Sequence, residues 1–201
     1  MIQQTWDYNP EGNKMDKVCR ALLKDALISE TVLDVLDVGN NPIFYPADID
    51  LLLVKSDFNI STLEIKANGY GNGKGNLNNQ TVFLEYISND RKYLNSGGKA
   101  GLGCIRICKA EFFLFYFIKY DYYLLFKTKE LQEFLENNIE KYPSKYAVTN
   151  DKNGQELYKS YGLIVPIEIL RKEAGGVLIK STCSYNKYEK EYLKQNSEKA
   201  S

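Results

Sequence analysis

Asp50 and the triplet Glu64-Ile65-Lys66 are the residues whose types and spacing carry chemistry. Asp50 sits in an apolar run, IDLLLV at 49–54, that reads as a strand; ISTLEIKA at 60–67 reads as another, and the polar link 55–59 makes an antiparallel hairpin the natural connection. Residues i and i+2 of a strand share a face, so Glu64 and Lys66 project together while Ile65 faces the core. Across the hairpin Asp50 can approach the same face. Two carboxylates and one ammonium then converge. Hard divalent cations such as Mg²⁺, with Mn²⁺ able to substitute, take carboxylate and carbonyl oxygens plus waters, so Asp50, Glu64 and the Ile65 carbonyl form a candidate metal set. Lys66 can serve an attacking water or the extra negative charge of pentavalent phosphorus. Asp48 is expected to face the same way and is a secondary acid. An ordinary ion pair between strand residues is the competing reading. Asp90-Arg91-Lys92 repeats the acid-x-Lys spacing but falls in an expected turn and is set aside.

These residues need elements to hold them. Met15, Val18, Cys19, Leu22, Leu23, Ala26 and Leu27 recur at helical spacing, so 15–28 reads as an amphipathic helix covering a sheet. TVLDVLDV at 31–38 fits either a helical extension or a strand, ended by Gly39-Asn40-Asn41-Pro42. The Gly/Asn-rich stretch 68–80 reads as a loop or flap. Thr81–Ser88 reads as a third strand, 104–111 as a short helix, and FFLFYFI with YYLLF as a second, aromatic hairpin. A helix follows over 128–138, then a strand near 161–165, a short helix from Pro166 to Lys172, a Gly175-Gly176 break and a charged tail from Lys187. The whole reads as one α/β domain, 1–201, around a central mixed sheet.

Charge is uneven along the chain. Residues 30–54 hold Glu30, Asp34, Asp37, Asp48 and Asp50 and no Lys or Arg, whereas 65–110 hold Lys66, Lys74, Arg91, Lys92, Lys99, Arg106 and Lys109 against Glu85 and Asp90. An acidic cluster beside a basic, glycine-rich segment suits a metal pocket next to an anionic ligand, with Lys74 and Lys99 as backbone contacts; solvated faces are the plainer alternative.

Asp50 followed by Glu64-x-Lys66 on adjacent strands resembles the active-site motif of the PD-(D/E)XK nuclease superfamily. The resemblance implies a restriction-endonuclease-like αβββαβ core, from the helix near 15–28 to the strand near 112–118, within a nuclease-like core of about 14–140 and with a C-terminal elaboration over 141–201. It implies a Mg²⁺-dependent nuclease acting on DNA, as an endonuclease, with catalytic Asp50, Glu64 and Lys66. Asp16, on the first helix, would complete a second metal site, Glu30 being the fallback and a plain helix charge the alternative. Gln80 and Glu85 would line the cleft, and Lys109 would touch phosphate. A homodimer would cut both strands. A catalytically inactive nucleic-acid-binding or regulatory module and an RNA-directed or structure-specific nuclease are the rivals.

Composition narrows the chemistry. The chain has 201 residues, no His, and 26 basic against 26 acidic side chains. Without His there is no Ser-His-Asp or Cys-His relay and no His-ligated zinc. Zero net charge argues against non-specific coating of nucleic acid. Cys19, Cys104, Cys108 and Cys183 show no CxxC pair and read as reduced thiols. The longest apolar run, Phe112–Ile118, falls short of the ~20 residues that span a bilayer, and no basic-then-apolar leader is visible, so a cytoplasmic protein away from membranes is expected.

Overall fold

A computed structural model describes residues 10–68, 80–151, 153–182 and 184–199. The elements run α1 (Pro10–Leu27), β1 (Val32–Asp37), a 3-10 turn (Tyr45–Ala47), β2 (Leu51–Lys55), β3 (Ile60–Asn68), β4 (Thr81–Ile87), α2 (Asp90–Asn95), α3 (Cys104–Ile107), β5 (Phe112–Phe117), β6 (Tyr122–Lys127), α4 (Thr128–Asn138), β7 (Ser144–Asn150), β8 (Glu156–Pro166), α5 (Ile167–Glu173), β9 (Val177–Lys180) and α6 (Tyr185–Lys199). They form a mixed α/β structure with a six-stranded sheet, β1-β2-β3-β5-β6-β9, and a separate three-stranded sheet, β4-β8-β7. The chain divides into two compact units.

The first unit comprises, among the described residues, those within 10–68, 110–125 and 177–199 and contains the large sheet with α1 and α6. α1 buries Val18, Cys19, Leu22 and Leu23 against Val35, Leu51, Leu63, Ile65, Leu114 and Tyr116, and the helical period of its apolar residues is the reason it lies on the sheet. Residues 32–37 are a strand: Val35 pairs with Leu53 and is buried, while Leu33 and Leu36 stay exposed. β2 and β3 are antiparallel, Leu53 opposite Ser61. Their turn is closed by Asn59, whose N–H donates to Asp57 Oδ1 at 3.0 Å, and by Phe58 at φ 61°. β3 then pairs in parallel with β5, setting Glu64 opposite Phe113 and Lys66 opposite Phe115. The residues expected to be a charged tail from Lys187 lie in helix α6, anchored by buried Tyr185 and by Tyr188 Oη, which donates to Asp25 Oδ2 at 2.7 Å.

The second unit comprises, among the described residues, those within 80–109 and 126–176. The strand expected at 81–88 exists as β4, but it pairs with β8 rather than continuing the large sheet. Val82 and Leu84 are buried opposite Val165 and Leu163, so this strand has an apolar face matched to β8. Gly162 lets β8 pass the Phe83 ring, whose carbons would lie 2.6 Å from an added Cβ. Of the loop expected over 68–80, Asn68 is instead the last residue of β3, and 69–79, including Lys74, lie outside the described residues, as does Cys183. Among the described residues no helix is long and apolar enough to cross a membrane.

Candidate active site at the opening of the second strand

Asp50 is locked by both neighbouring strands. Its N–H donates to Leu63 O at 3.0 Å, and its own carbonyl accepts the Val38 N–H at 2.8 Å. β2 pairing stops there, whereas β3 runs on to Asn68. Within a strand the N–H and C=O of one residue point to the same side, alternating along the chain. Leu63 uses that side for Asp50, so Ile65 and Ala67 present their backbone groups to the lane that β2 has left. Carboxylates fill it: Asp50 Oδ2 accepts the Ile65 N–H at 3.0 Å, and Asp16 of α1 accepts the Ala67 N–H. The Ile65 carbonyl is directed into the same lane.

Asp48 is not a strand residue facing with Asp50. It caps the 3-10 turn at φ 55°, ψ 55°, a left-handed conformation that Asp tolerates better than most side chains. Its carboxyl still belongs to the group, because Lys66 and Asp50 both act on it electrostatically.

Arg20 was not among the residues that the sequence singled out. It is 7 % exposed on the sheet side of α1, its Nε lies 3.1 Å from Asp37 Oδ1, and its Nη1 lies 3.4 Å from Asp50 Oδ1. Gly39 makes room for this contact: an added Cβ would sit 2.6 Å from Asp50 Oδ1 and 3.0 Å from Arg20 Nε. The available signal was its i, i+4 spacing from Asp16 on α1.

Glu64 has a side chain 3 % exposed, with Lys66 Nζ 2.5 Å from its Oε1; Lys66 keeps 39 % of its side chain in solvent. Burial pushes the Glu64 carboxyl well above the usual carboxylate range, Asp50 and Asp48 push it further, and Lys66 opposes. Burial likewise raises Asp16 and Asp48, Lys66 again opposing and Asp50 adding to the rise. Tyr45 is raised by burial and then by Asp48. Four carboxyls, an ammonium and a guanidinium thus act on one another around the opening of β2.

Among the described residues, no group of three or more His, Cys, Asp or Glu is arranged to hold a metal ion as it stands. Glu64 is engaged by Lys66, and Asp50 by Arg20 and Ile65 N–H. The donor chemistry nevertheless fits a hard divalent cation, because these buried carboxyls disfavour one another's charge and an Ile65 carbonyl stands beside them. Asp50, Glu64 and Ile65 are the residues that would hold it, with Asp16 and Asp48 next to them.

The remaining expected site residues lie elsewhere. Glu30 is exposed beyond the end of α1. Gln80, Glu85, Lys99 and Lys109 belong to the second unit. Gln80 is buried and its carbonyl accepts the Ile167 N–H. Glu85, expected to line the cleft, has Oε1 3.5 Å from the Cys104 N–H. Lys109 is exposed. Cys19, Cys104 and Cys108 are thiols rather than disulfide sulfurs, and burial holds the Cys19 thiol protonated. No family model, curated protein or solved structure compared with the chain matches it.

Proposed function

We propose that this protein is a metal-dependent nuclease that hydrolyses phosphodiester bonds, with DNA as its substrate. The observation that carries this reading is the meeting of Asp50, at the opening of β2, with Glu64-Ile65-Lys66 on β3: one carboxylate bonded to the Ile65 N–H, the other buried against Lys66. The succession α1-β1-β2-β3, with β5 parallel to β3, supports it, being the order that the PD-(D/E)XK resemblance implies for its core.

Asp50, Glu64 and the Ile65 carbonyl would hold Mg²⁺ or Mn²⁺, and Asp16 would join a second ion. The cation would supply Lewis acidity and neutralise charge on the scissile phosphate. Lys66, with 39 % of its side chain in solvent, would orient the attacking water and stabilise negative charge developing on phosphorus. Arg20 holds the Asp50 carboxylate from the helix side. Asp48 enriches the negative field that draws a cation in. One such site cuts one strand, so double-strand cutting would take a homodimer.

A second reading has its own observation. The pairs Glu64–Lys66 and Asp50–Arg20 satisfy both acids within the protein, as a non-catalytic nucleic-acid-binding module would. Calorimetric titration with Mg²⁺ and Mn²⁺ separates the two: binding to the wild type that is lost in Glu64→Ala supports the nuclease, and absence of binding alongside intact nucleic-acid binding supports the module.

A further inference from the structure

The second unit contains a cleft of about 220 Å³ whose lining includes Asn89, Lys92, Lys99, Leu102, Ile107 and Tyr158, with no Asp or Glu. We propose that this cleft binds one nucleotide of a single-stranded stretch of nucleic acid, its phosphate between Lys92 and Lys99 and its sugar and base against Tyr158, Leu102 and Ile107.

The lining has two chemistries that match the two ends of a nucleotide. Lys92 and Lys99 form no ion pair among the described residues, so both ammoniums are available to an anion. Ile107 is one of the exposed large apolar side chains, and with Leu102 and the Tyr158 ring it makes a surface on which an unstacked base or a sugar can rest. The volume is below that of a drug-sized pocket, about 300 Å³ upward, and suits one nucleotide unit.

The cleft is built before any ligand arrives. Ser88 and Asn89 both donate their N–H to Gly101 O, at 2.9 and 3.2 Å, and Ser96 Oγ accepts the N–H groups of Lys99 at 3.1 Å and Ala100 at 2.8 Å. Gly101 has φ +71°, and an added Cβ would lie 2.3 Å from Asn89 O, so only glycine lets the loop close so tightly. A hydrogen-bonded loop brings Lys99 into the same cleft as Lys92, which lowers the backbone ordering cost at binding.

The identity of the polymer rests on the nuclease reading; the cleft's taste for a phosphorylated aromatic unit stands on its own lining. The test is fluorescence anisotropy of a labelled single-stranded DNA 20-mer with the full wild-type chain in EDTA, where no cleavage interferes. Lys92→Glu with Lys99→Glu is expected to weaken binding about tenfold or more and to reduce the salt slope by roughly 1.4, at about 0.7 per phosphate contact on single strands. Lys92→Arg with Lys99→Arg should bind like the wild type, and Tyr158→Ala should bind about 5- to 100-fold more weakly. Unchanged binding in the double Glu variant, given an unchanged melting temperature, overturns the proposal, as does a wild type that does not bind. Mg²⁺-dependent cleavage is scored separately. Binding that depends on Lys92 and Lys99 without cleavage by any form keeps the cleft and removes the nuclease, and the reverse pattern does the opposite.

Discussion

Glu64 combines near-complete burial with a charge that its surroundings resist. Its carboxyl titrates above the usual range in the folded chain, chiefly through burial. A folded pKa above the unfolded one means that the group's contribution to stability is full below its ordinary value and is lost as pH rises through the raised value. Glu64→Gln keeps the shape and removes the charge, while Lys66, with 39 % of its side chain in solvent, tolerates losing its partner. The variant is expected to melt higher than the wild type at pH 8, by about 2–4 °C for each kcal/mol relieved, and to cleave DNA more than about 100-fold more slowly; thermal melts and a plasmid assay check the two halves. At Gly39 the expected effect has the other sign. Gly39→Ala sets a methyl group 2.6 Å from Asp50 Oδ1 and must displace either that carboxylate or Arg20. A loss of about 1–3 kcal/mol in a urea titration is expected, together with weaker Mn²⁺ binding by calorimetry.

The elements meet where β2 stops and β3 continues, and carboxylates take the place of a missing strand along that edge. Asp16, Asp48 and Glu64 are all raised, burial first in each case, so the metal-free protein is expected to lose stability as pH climbs above the ordinary carboxylate range. Millimolar Mg²⁺ should restore part of it at pH 8 and less as the pH falls and protons compete with the cation for the raised carboxyls; melting curves at pH 8 and pH 5 with Mg²⁺ or EDTA check this. Much of this region was legible locally. α1 shows in its apolar period, β2 and β3 in two apolar runs around a polar turn, and Glu64-x-Lys66 in the strand alternation. TVLDVLDV suits two periods at once, and only pairing with β2 decides for β1. Sheet membership of β4 depends on β8, some eighty residues on, and is invisible to any local pattern. β7 is a mostly exposed edge strand with little apolar face to announce it. Arg20 escaped because a buried arginine makes sense only with its partners, and Asp50 lies 30 residues away.

At the scale of the whole molecule, charge is balanced at 26 against 26, so on the proposed function nucleic-acid affinity would come from local groups such as Lys66, Lys92 and Lys99 rather than from an overall field. A shallow salt dependence follows: the slope of log K against log salt for single-stranded DNA is expected to reflect only a few phosphates, roughly 0.7 each, and a titration between 50 and 200 mM salt measures it. Catalysis should then be confined to one small group of residues in the first unit. The most direct measurement incubates plasmid, linear duplex, single-stranded and branched DNA, and RNA, with wild type and with a Glu64→Ala, Lys66→Ala double variant, in Mg²⁺, Mn²⁺ or EDTA. Cutting of DNA that requires the cation and disappears in the folded double variant is the expected result; unchanged cation-dependent cutting in that variant, or no cutting of any substrate by the folded wild type, would contradict the nuclease assignment.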